Sequence, residues 1–268
     1  MIDMHVHCFP DFLANRALGR ELERNKNRHY DCLGTIEEQL AFAEEKGLRA
    51  FAVLNVANRP DSAGHVNEYA RRIRGISPKI VSFCSVHPKA ENAVEQLDAL
   101  YEEGFRCVKF QSYNMRTNID EPCFKPLLRE VGRLKMLCVI HGGYSGGKYD
   151  FSVLPENIAR AVEWLDGADV IASHLGGMFM KEEERAEVAK LPVYTDTAFS
   201  QLHFDQDSFN RTAELFGPER ILFGTDLPWA HFRKESAFVE NSSFTETEKQ
   251  LIFEGNAVRL LSRVGITV

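Results

Sequence analysis

Two histidines, His5 and His7, stand two residues apart in the N-terminal stretch DMHVH. Side chains alternate between the two faces of a β-strand, so we expect both imidazoles on one face and Met4 and Val6 on the other. Two imidazoles on one face can bind a single cation; the alternative is a pair of partly buried histidines at a strand end. Asp3 is expected one step lower on the same face, where its carboxylate would accept a hydrogen bond from an imidazole N–H.

Three further side chains suited to metal binding follow apolar, strand-like runs. They are His141 in VIHGG, His174 in ASHLGG and Asp226 in FGTDLPW. Glycines beside each of them would admit a ligand or another backbone closely. If the runs are parallel strands, all five side chains lie at the strand ends of one sheet, and a common site becomes a better explanation than chance.

Eight strand-like runs alternate with eight amphipathic helical patterns along the chain. The predicted strands are residues 2–7, 48–56, 79–86, 105–111, 136–142, 169–175, 192–198 and 220–226. The predicted helices are residues 35–47, 61–74, 89–103, 122–134, 154–165, 181–190, 205–216 and 245–262. This alternation predicts an α/β fold, a (β/α)8 TIM barrel forming a single domain over residues 1–268, with an open doubly wound sheet as the alternative. In such a barrel the active site lies at the C-terminal ends of the strands, and the long loop 8–34 is expected to form a lid.

The ordered set DMHVH, VIHGG, SHLGG, FGTDLPW and FEGNAVRLL resembles the amidohydrolase superfamily. Within it, the set is most similar to the amidohydrolase-related (amidohydrolase 2) branch, which includes enzymes like aminocarboxymuconate semialdehyde decarboxylase. The resemblance implies one divalent metal ion, zinc or else manganese, held by His5, His7, His141 and Asp226. It also implies that His174 orients or deprotonates a metal-bound water. Nitrogen and oxygen donors without thiolates suit a catalytic metal site better than a structural one.

The activity implied by this resemblance is that of a metal-dependent hydrolase. A metal-activated water would attack a small amide, ester or lactone that carries a carboxylate, and Asp226 would pass a proton to the leaving group. The branch also contains lyases, so a non-oxidative decarboxylase on the same metal site is the alternative. A second alternative is a metal-binding protein without catalytic activity.

Three other residues are candidates for substrate or second-metal binding. Lys109 lies in the fourth predicted strand, where binuclear members of the superfamily use a carboxylated lysine as a bridge; otherwise it would pair with a carboxylate or bind substrate. His87 ends the third strand and either contacts substrate or is simply packed. Arg116 lies in the loop after the fourth strand, as Arg16, Arg59 and Lys148 lie in others, and is either solvated or bound to a substrate carboxylate.

Composition narrows the expected partners and compartment. The net charge of −7 argues against nucleic acid as a partner, and no apolar run approaches the length needed to span a membrane. No secretory signal is evident, so the expected location is the cytoplasm. The six cysteines form no CxxC pair and are expected to be free thiols. The expected partner is a small anionic substrate, and the family resemblance suggests a homodimer. His29, His65 and His203 are expected at the surface.

Overall fold

Eight parallel strands, one for each predicted strand, form the centre of the protein. The computed structural model describes residues 1–14, 31–145 and 148–268, and all statements of structure concern these residues. The strands are β1 (Ile2–Val6), β2 (Ala50–Leu54), β3 (Ile80–Phe83), β4 (Cys107–Phe110), β5 (Leu137–Ile140), β6 (Gly143–Ser145), β7 (Lys148–Val153), β8 (Val170–Ala172), β9 (Tyr194–Asp196) and β10 (Ile221–Leu222). Strands β6 and β7 pair antiparallel in a hairpin that the sequence did not predict.

The parallel strands close into a ring. They form two sheets, ordered β1-β2-β3 and β10-β9-β8-β5-β4. Parallel bridges join the two sheets at both seams, between Cys84 and Val108 on one side and between Val6 and Leu227 on the other. The predicted (β/α)8 barrel is therefore confirmed in preference to the open sheet.

Helices follow the strands at all eight predicted places. The helices are α1 (Ile36–Glu45), α2 (Ala63–Arg74), α3 (Ala93–Glu102), α4 (Ser112–Met115), α5 (Phe124–Arg133), α6 (Pro155–Trp164), α7 (Glu182–Ala189), α8 (Gln206–Phe216), α9 (Phe232–Glu240), α10 (Glu246–Gln250) and α11 (Asn256–Arg263), with a π-helix at Leu251–Gly255 and 3₁₀ turns at Ser200–Leu202 and Pro218–Arg220. Helices α4 and α9 were not predicted. None of the helices described is long and apolar enough to cross a membrane.

Hydrophobic side chains form one cluster between strands and outer helices and a second inside the barrel. The C-terminal helix α11 contributes Ala257, Leu260 and Leu261 to the inner cluster, alongside Ile2 and Ala50 from the first residues of their strands. The inner cluster thus fills the end of the barrel where the strands begin. Polar side chains occupy the end where the strands finish. All six cysteines are free thiols, as predicted.

A β-bulge in β1 changes which side chains face inward. Asp3 pairs with Phe51 and Val6 pairs with Val53, so β1 contains one residue more than β2 between these pairs. Met4 consequently belongs to the inner cluster and Val6 to the outer one. The prediction that Met4 and Val6 share a face is wrong, because strict alternation does not survive the bulge.

Candidate metal centre

His5, His7 and Asp226 meet at the C-terminal end of the barrel. His7 Nε2 lies 3.2 Å and His5 Nε2 3.7 Å from Asp226 Oδ1. One ligand atom from each of the three residues can be chosen so that all lie within 4.8 Å of one another. His5 is 1% and Asp226 5% exposed, whereas the His7 side chain is 15% exposed, so the group is buried on the His5 side and reachable from His7. The structure thus brings together the HxH pair and the strand-eight aspartate.

The hydrogen bonds of His5 and His7 determine which ring nitrogen carries the proton. His7 Nδ1 donates to the Leu54 carbonyl at 3.0 Å, and His5 Nδ1 donates to Asp196 Oδ2 at 2.9 Å. Both acceptors lack a proton to give, so each ring carries its hydrogen on Nδ1. Each Nε2 therefore presents a lone pair toward the centre, as a metal ligand requires.

His174 and His141 continue the same pattern on the neighbouring strands. His174 Nδ1 donates to the Ala198 carbonyl at 3.0 Å, so its Nε2 accepts a hydrogen bond from His141 Nδ1 at 3.1 Å. This arrangement places a lone pair on His141 Nε2. Burial lowers the pKa of His174 to about 4 and that of His141 well below its usual value, with nearby positive charge acting in the same direction. Both rings are neutral at physiological pH.

Asp226 supplies an oxygen ligand that the protein leaves available. Its Oδ1 is buried and accepts no hydrogen bond from any residue that the structure describes. A buried carboxylate oxygen facing imidazole lone pairs is unfavourable unless a cation joins them. The donor set therefore fits a divalent metal ion.

Asp196, at the end of β9, is the site residue that the sequence analysis missed. Its Oδ2 holds His5, and its Oδ1 accepts hydrogen bonds from the backbone N–H of His174 at 2.9 Å and of Ala198 at 3.2 Å. Burial would raise its pKa, but the electrostatic attraction of the His5 N–H that it accepts, together with its backbone hydrogen bond from His174, holds the pKa well below the usual range. Its position in the predicted strand PVYTDTA was the available signal. With His5 and His174 it forms a second triad of potential ligand atoms.

Contrary to the prediction, Asp3 accepts no hydrogen bond from any imidazole within the described ranges. Its Oδ1 accepts from the backbone N–H groups of His5 and Thr225, both at 3.1 Å, and its Oδ2 accepts from Thr225 Oγ1 at 2.6 Å. Asp3 thus ties β1 to the segment that carries Asp226. The β1 bulge explains why this carboxylate is directed to the neighbouring chain segment instead of to the rings.

The glycines of the three motifs allow neighbouring backbone, and in one case the His5 side chain, to approach closely. A Cβ on Gly142 would lie 2.7 Å from the Gly176 carbonyl oxygen, and one on Gly143 would overlap the Met178 carbonyl. The loops that carry His141 and His174 therefore pack backbone against backbone. A Cβ on Gly224 would lie 2.9 Å from the Cβ of His5. The small residues let the ligand-bearing segments approach one another.

The backbone that carries His174 is held in a strained conformation. His174 and Leu175 have φ angles of 66° and 47°, in the left-handed region that side chains other than glycine rarely adopt. The Arg185 guanidinium donates from Nη1 to the carbonyl oxygens of both residues at 2.7 Å. Asp226 also lies in this region, with φ of 67°. Two of the functional candidates thus depend on surrounding contacts for their position.

Of the three additional candidates, only Lys109 lies near the centre. Its Nζ is buried and has no hydrogen-bond partner among the described residues. Burial lowers its pKa to about 8, and the charges of Asp196 and Asp226 oppose that shift. His87 is packed, because its Nε2 donates to the Met115 carbonyl and its Nδ1 accepts from the Lys89 N–H. This favours the packed alternative over substrate contact.

The remaining loop residues fall outside the cluster or outside the described chain. Arg116 is exposed at the end of α4, and Arg59 is exposed and pairs with Asp61. Arg16, His29, the Lys148 side chain and most of the predicted lid lie outside the described residues. His203 was expected at the surface, but it is partly buried, with its ring centroid 4.3 Å from that of Phe179. Its surroundings were not predictable from strand-end positions.

Comparison with known proteins gives one family match and several structural matches. The Amidohydrolase family (Amidohydro_2) matches residues 2–263. No curated protein matches the chain. A TIM-barrel protein from Bordetella bronchiseptica is 18% identical with a TM-score of 0.77, covering 99% of each chain. The 5-carboxyvanillate decarboxylase LigW from Sphingomonas paucimobilis is 13% identical with a TM-score of 0.70, covering 100% of this chain and 99% of the other.

A third solved structure is informative about metal content. It is a dihydroxybenzoic acid decarboxylase from a Polaromonas species, with bound manganese and the inhibitor 2-nitroresorcinol. It is 15% identical with a TM-score of 0.68, covering 97% of this chain and 96% of the other. At these identities the three structures establish a shared fold.

Proposed function

The chain belongs to the Amidohydrolase family, a family of metal-dependent enzymes, and on this premise we propose that it is a non-oxidative decarboxylase of a small aromatic carboxylate. The main structural support is the buried metal-binding arrangement. Asp226 Oδ1 accepts no hydrogen bond from a described residue, and the His5 and His7 Nε2 atoms face it. The solved decarboxylases with this fold support decarboxylation over hydrolysis, which the sequence analysis placed first. The proposed activity is therefore the decarboxylase alternative and not the hydrolase.

We propose one divalent ion, bound by His5, His7, His141 and Asp226. The rings of His5 and His7 are already in the tautomer that ligation requires, so no proton must move when the ion binds. His141 is outside both compact triads and joins the cluster through its contact with His174. Zinc and manganese both suit this mixture of nitrogen and oxygen donors, and manganese is supported by the Polaromonas structure.

Decarboxylation replaces the bond between the ring carbon and the carboxyl carbon by a C–H bond, and the released electron pair forms that C–H bond. When bound, the divalent ion supplies a Lewis acid that stabilises negative charge on substrate oxygens. The reaction consumes one proton, which Asp226 can take from a substrate hydroxyl or solvent and deliver to the carbon. His174 is neutral and held from two sides, and its Nε2 accepts the hydrogen bond from His141 Nδ1 that leaves His141 Nε2 with a lone pair for the ion.

Lys109 has a structural, charge-compensating role in this proposal. Its buried ammonium offsets the negative charges of Asp196 and Asp226 beneath the metal ligands, and it does not bridge a second ion. Metal analysis separates the two roles: one ion per chain supports charge compensation. Two ions per chain would overturn the mononuclear proposal.

The proposed function is tested by measuring, in one reaction, the release of the carboxyl carbon as CO₂ and the incorporation of a solvent proton into the product. Protein loaded with zinc or manganese is incubated with hydroxybenzoates carrying ¹³C in the carboxyl group, in D₂O. We expect labelled CO₂ and one deuterium at the vacated ring position. Asp226→Asn should lose this activity, whereas the exposed His65→Ala should retain it. A matched panel of esters and lactones in H₂¹⁸O tests the hydrolase alternative. Incorporation of ¹⁸O without CO₂ release would overturn the proposal.

A further inference from the structure

Arg185, on α7, is a buried cation: the charge of Glu184 acts to raise its pKa, but no carboxylate in the described ranges contacts its guanidinium. Its side chain is 2% exposed, and its guanidinium lies 4.6 Å from the centroid of the Phe204 ring. Nη1 donates to the His174 and Leu175 carbonyls, and Nε donates to the Met180 carbonyl at 3.2 Å. No carboxylate among the described residues forms an ion pair with it. A buried charge of this kind is costly unless an anion compensates it.

The unsatisfied part of this guanidinium is Nη2. In the part of the chain that the structure describes, Nη2 donates no hydrogen bond, whereas Nε and Nη1 are both engaged. Burial lowers the pKa of Arg185 to about 10, which leaves the group fully charged at neutral pH. One edge of a fixed, charged fork therefore remains available to an anion.

That guanidinium lines a cavity of about 350 Å³ between α7 and α8. This volume lies in the range of small-molecule sites, roughly 300–1,000 Å³. Its lining is more polar than apolar: Phe179, Leu202 and Phe204 supply aromatic and aliphatic surface beside Arg185, and Thr212 adds a hydroxyl group. The cavity also contains Glu182, whose half-exposed carboxylate is 3.3 Å from Arg211 Nε and is thereby partly neutralised.

We propose that this cavity is a second ligand site that binds a small organic carboxylate with a flat, apolar body. The carboxylate would pair with Arg185 Nη2, and the ring or chain would lie against Phe179, Leu202 and Phe204. None of the residues lining the cavity is a metal-ligand candidate, although His203 in its wall lies near enough to His174 and Asp226 for their charges to affect its pKa. The proposal does not depend on the reaction catalysed at the metal centre.

The site is connected to the metal centre through Arg185. The guanidinium that would bind the ligand also holds the left-handed backbone at His174 and Leu175. A bound anion fixes the guanidinium and thus restrains this segment. The Gly177 N–H, which donates to the His174 carbonyl at 3.1 Å, should exchange more slowly with solvent when the cavity is filled.

The test uses 4-fluorobenzoate as a probe of metal-loaded protein, with binding followed by ¹⁹F NMR. Leu202→Glu places a negative charge at the cavity rim, where Leu202 is 54% exposed, and should weaken binding at this site at least tenfold. Leu215→Glu is the matched control, because Leu215 is 40% exposed and does not line the cavity. The control should bind as the wild type does. Equal binding by all three proteins would overturn the proposal.

A crystal soaked with 4-bromobenzoate separates this site from the metal centre. We expect an anomalous bromine signal in the cavity with the carboxylate within hydrogen-bond distance of Arg185 Nη2. Hydrogen exchange of the peptide covering residues 174–180 should slow with the probe in the wild type and not in Leu202→Glu. Bromine only at the metal centre, or slowing by inorganic phosphate as strong as by the benzoate, would contradict a site for an organic carboxylate.

Discussion

Replacing Asp196 by asparagine should weaken metal binding although Asp196 is not among the proposed ligands. Its Oδ1 accepts two backbone N–H groups, from His174 and Ala198, so the asparagine oxygen must stay on that side. The amide NH₂ then faces His5 Nδ1, which now donates to Asp196. Two donors cannot share one hydrogen bond, and His5 must change to the tautomer with hydrogen on Nε2. Its lone pair toward the metal is lost.

The expected loss is about 10- to 100-fold in metal affinity, the usual cost of removing a group that orients a histidine ligand. This corresponds to about 1.4–2.8 kcal/mol. Competition with a fluorescent chelator for zinc or manganese measures it directly. Asp169→Asn is the control, because Asp169 lies just before β8, is 25% exposed and pairs with Arg263. The control should bind metal like the wild type. An affinity of Asp196→Asn within twofold of the wild type would refute the tautomer reasoning.

Three further predictions concern the ligands and the loops that hold them. Asp226→Asn should weaken metal binding by more than about 100-fold, because loss of a ligand costs more than loss of a supporting group; metal analysis after dialysis checks this, and full metal content would exclude Asp226 as a ligand. Chelation should abolish turnover and destabilise the fold, by roughly 2.7 kcal/mol relative to protein with free metal at 100 times Kd; unchanged thermal unfolding would contradict a site within the fold. Gly143→Ala should destabilise by about 3 kcal/mol, because φ is 84° and the new methyl group overlaps the Met178 carbonyl. Gly47→Ala, with φ of 65° and no atom within 4 Å, should cost only about 1 kcal/mol in denaturant unfolding; equal costs would show that the close approach is not what requires Gly143.

The regular elements were predictable because their signals are local. Most barrel strands are short apolar runs, with β9 (YTD) an exception, and Thr35 begins α1 by accepting a hydrogen bond from the Glu38 N–H at 3.3 Å. Helix α9 was missed because its buried face contains an acidic residue. Glu235 is fully buried there and accepts hydrogen bonds from the backbone N–H groups of Ser200 and Gln201. Its partners are more than 30 residues away, and no local pattern reveals them.

The hairpin of β6 and β7 illustrates the same limit. It follows the His141 strand directly, and Gly143 forms a parallel bridge with Met178 in the loop after β8. This pairing depends on two distant glycine-containing loops coming together. The glycines were visible in the sequence, and the expectation that they admit a close approach is consistent with the structure. Which segments pack against these glycines depends on the tertiary structure of the barrel.

The sequence by itself determined which candidate donors stand at strand ends, because closure of parallel strands brings those ends together whatever the loops do. Only the tertiary structure decided which carboxylate supports which imidazole. Asp196 holds His5 across 191 residues of chain, while Asp3, only two residues from His5, binds backbone and Thr225. The physical reason is the bulge in β1, which changes the facing of neighbouring side chains and arises from the pairing of β1 with β2. The His5 and His7 rings, two residues apart in the sequence, lie with their centroids 5.3 Å apart.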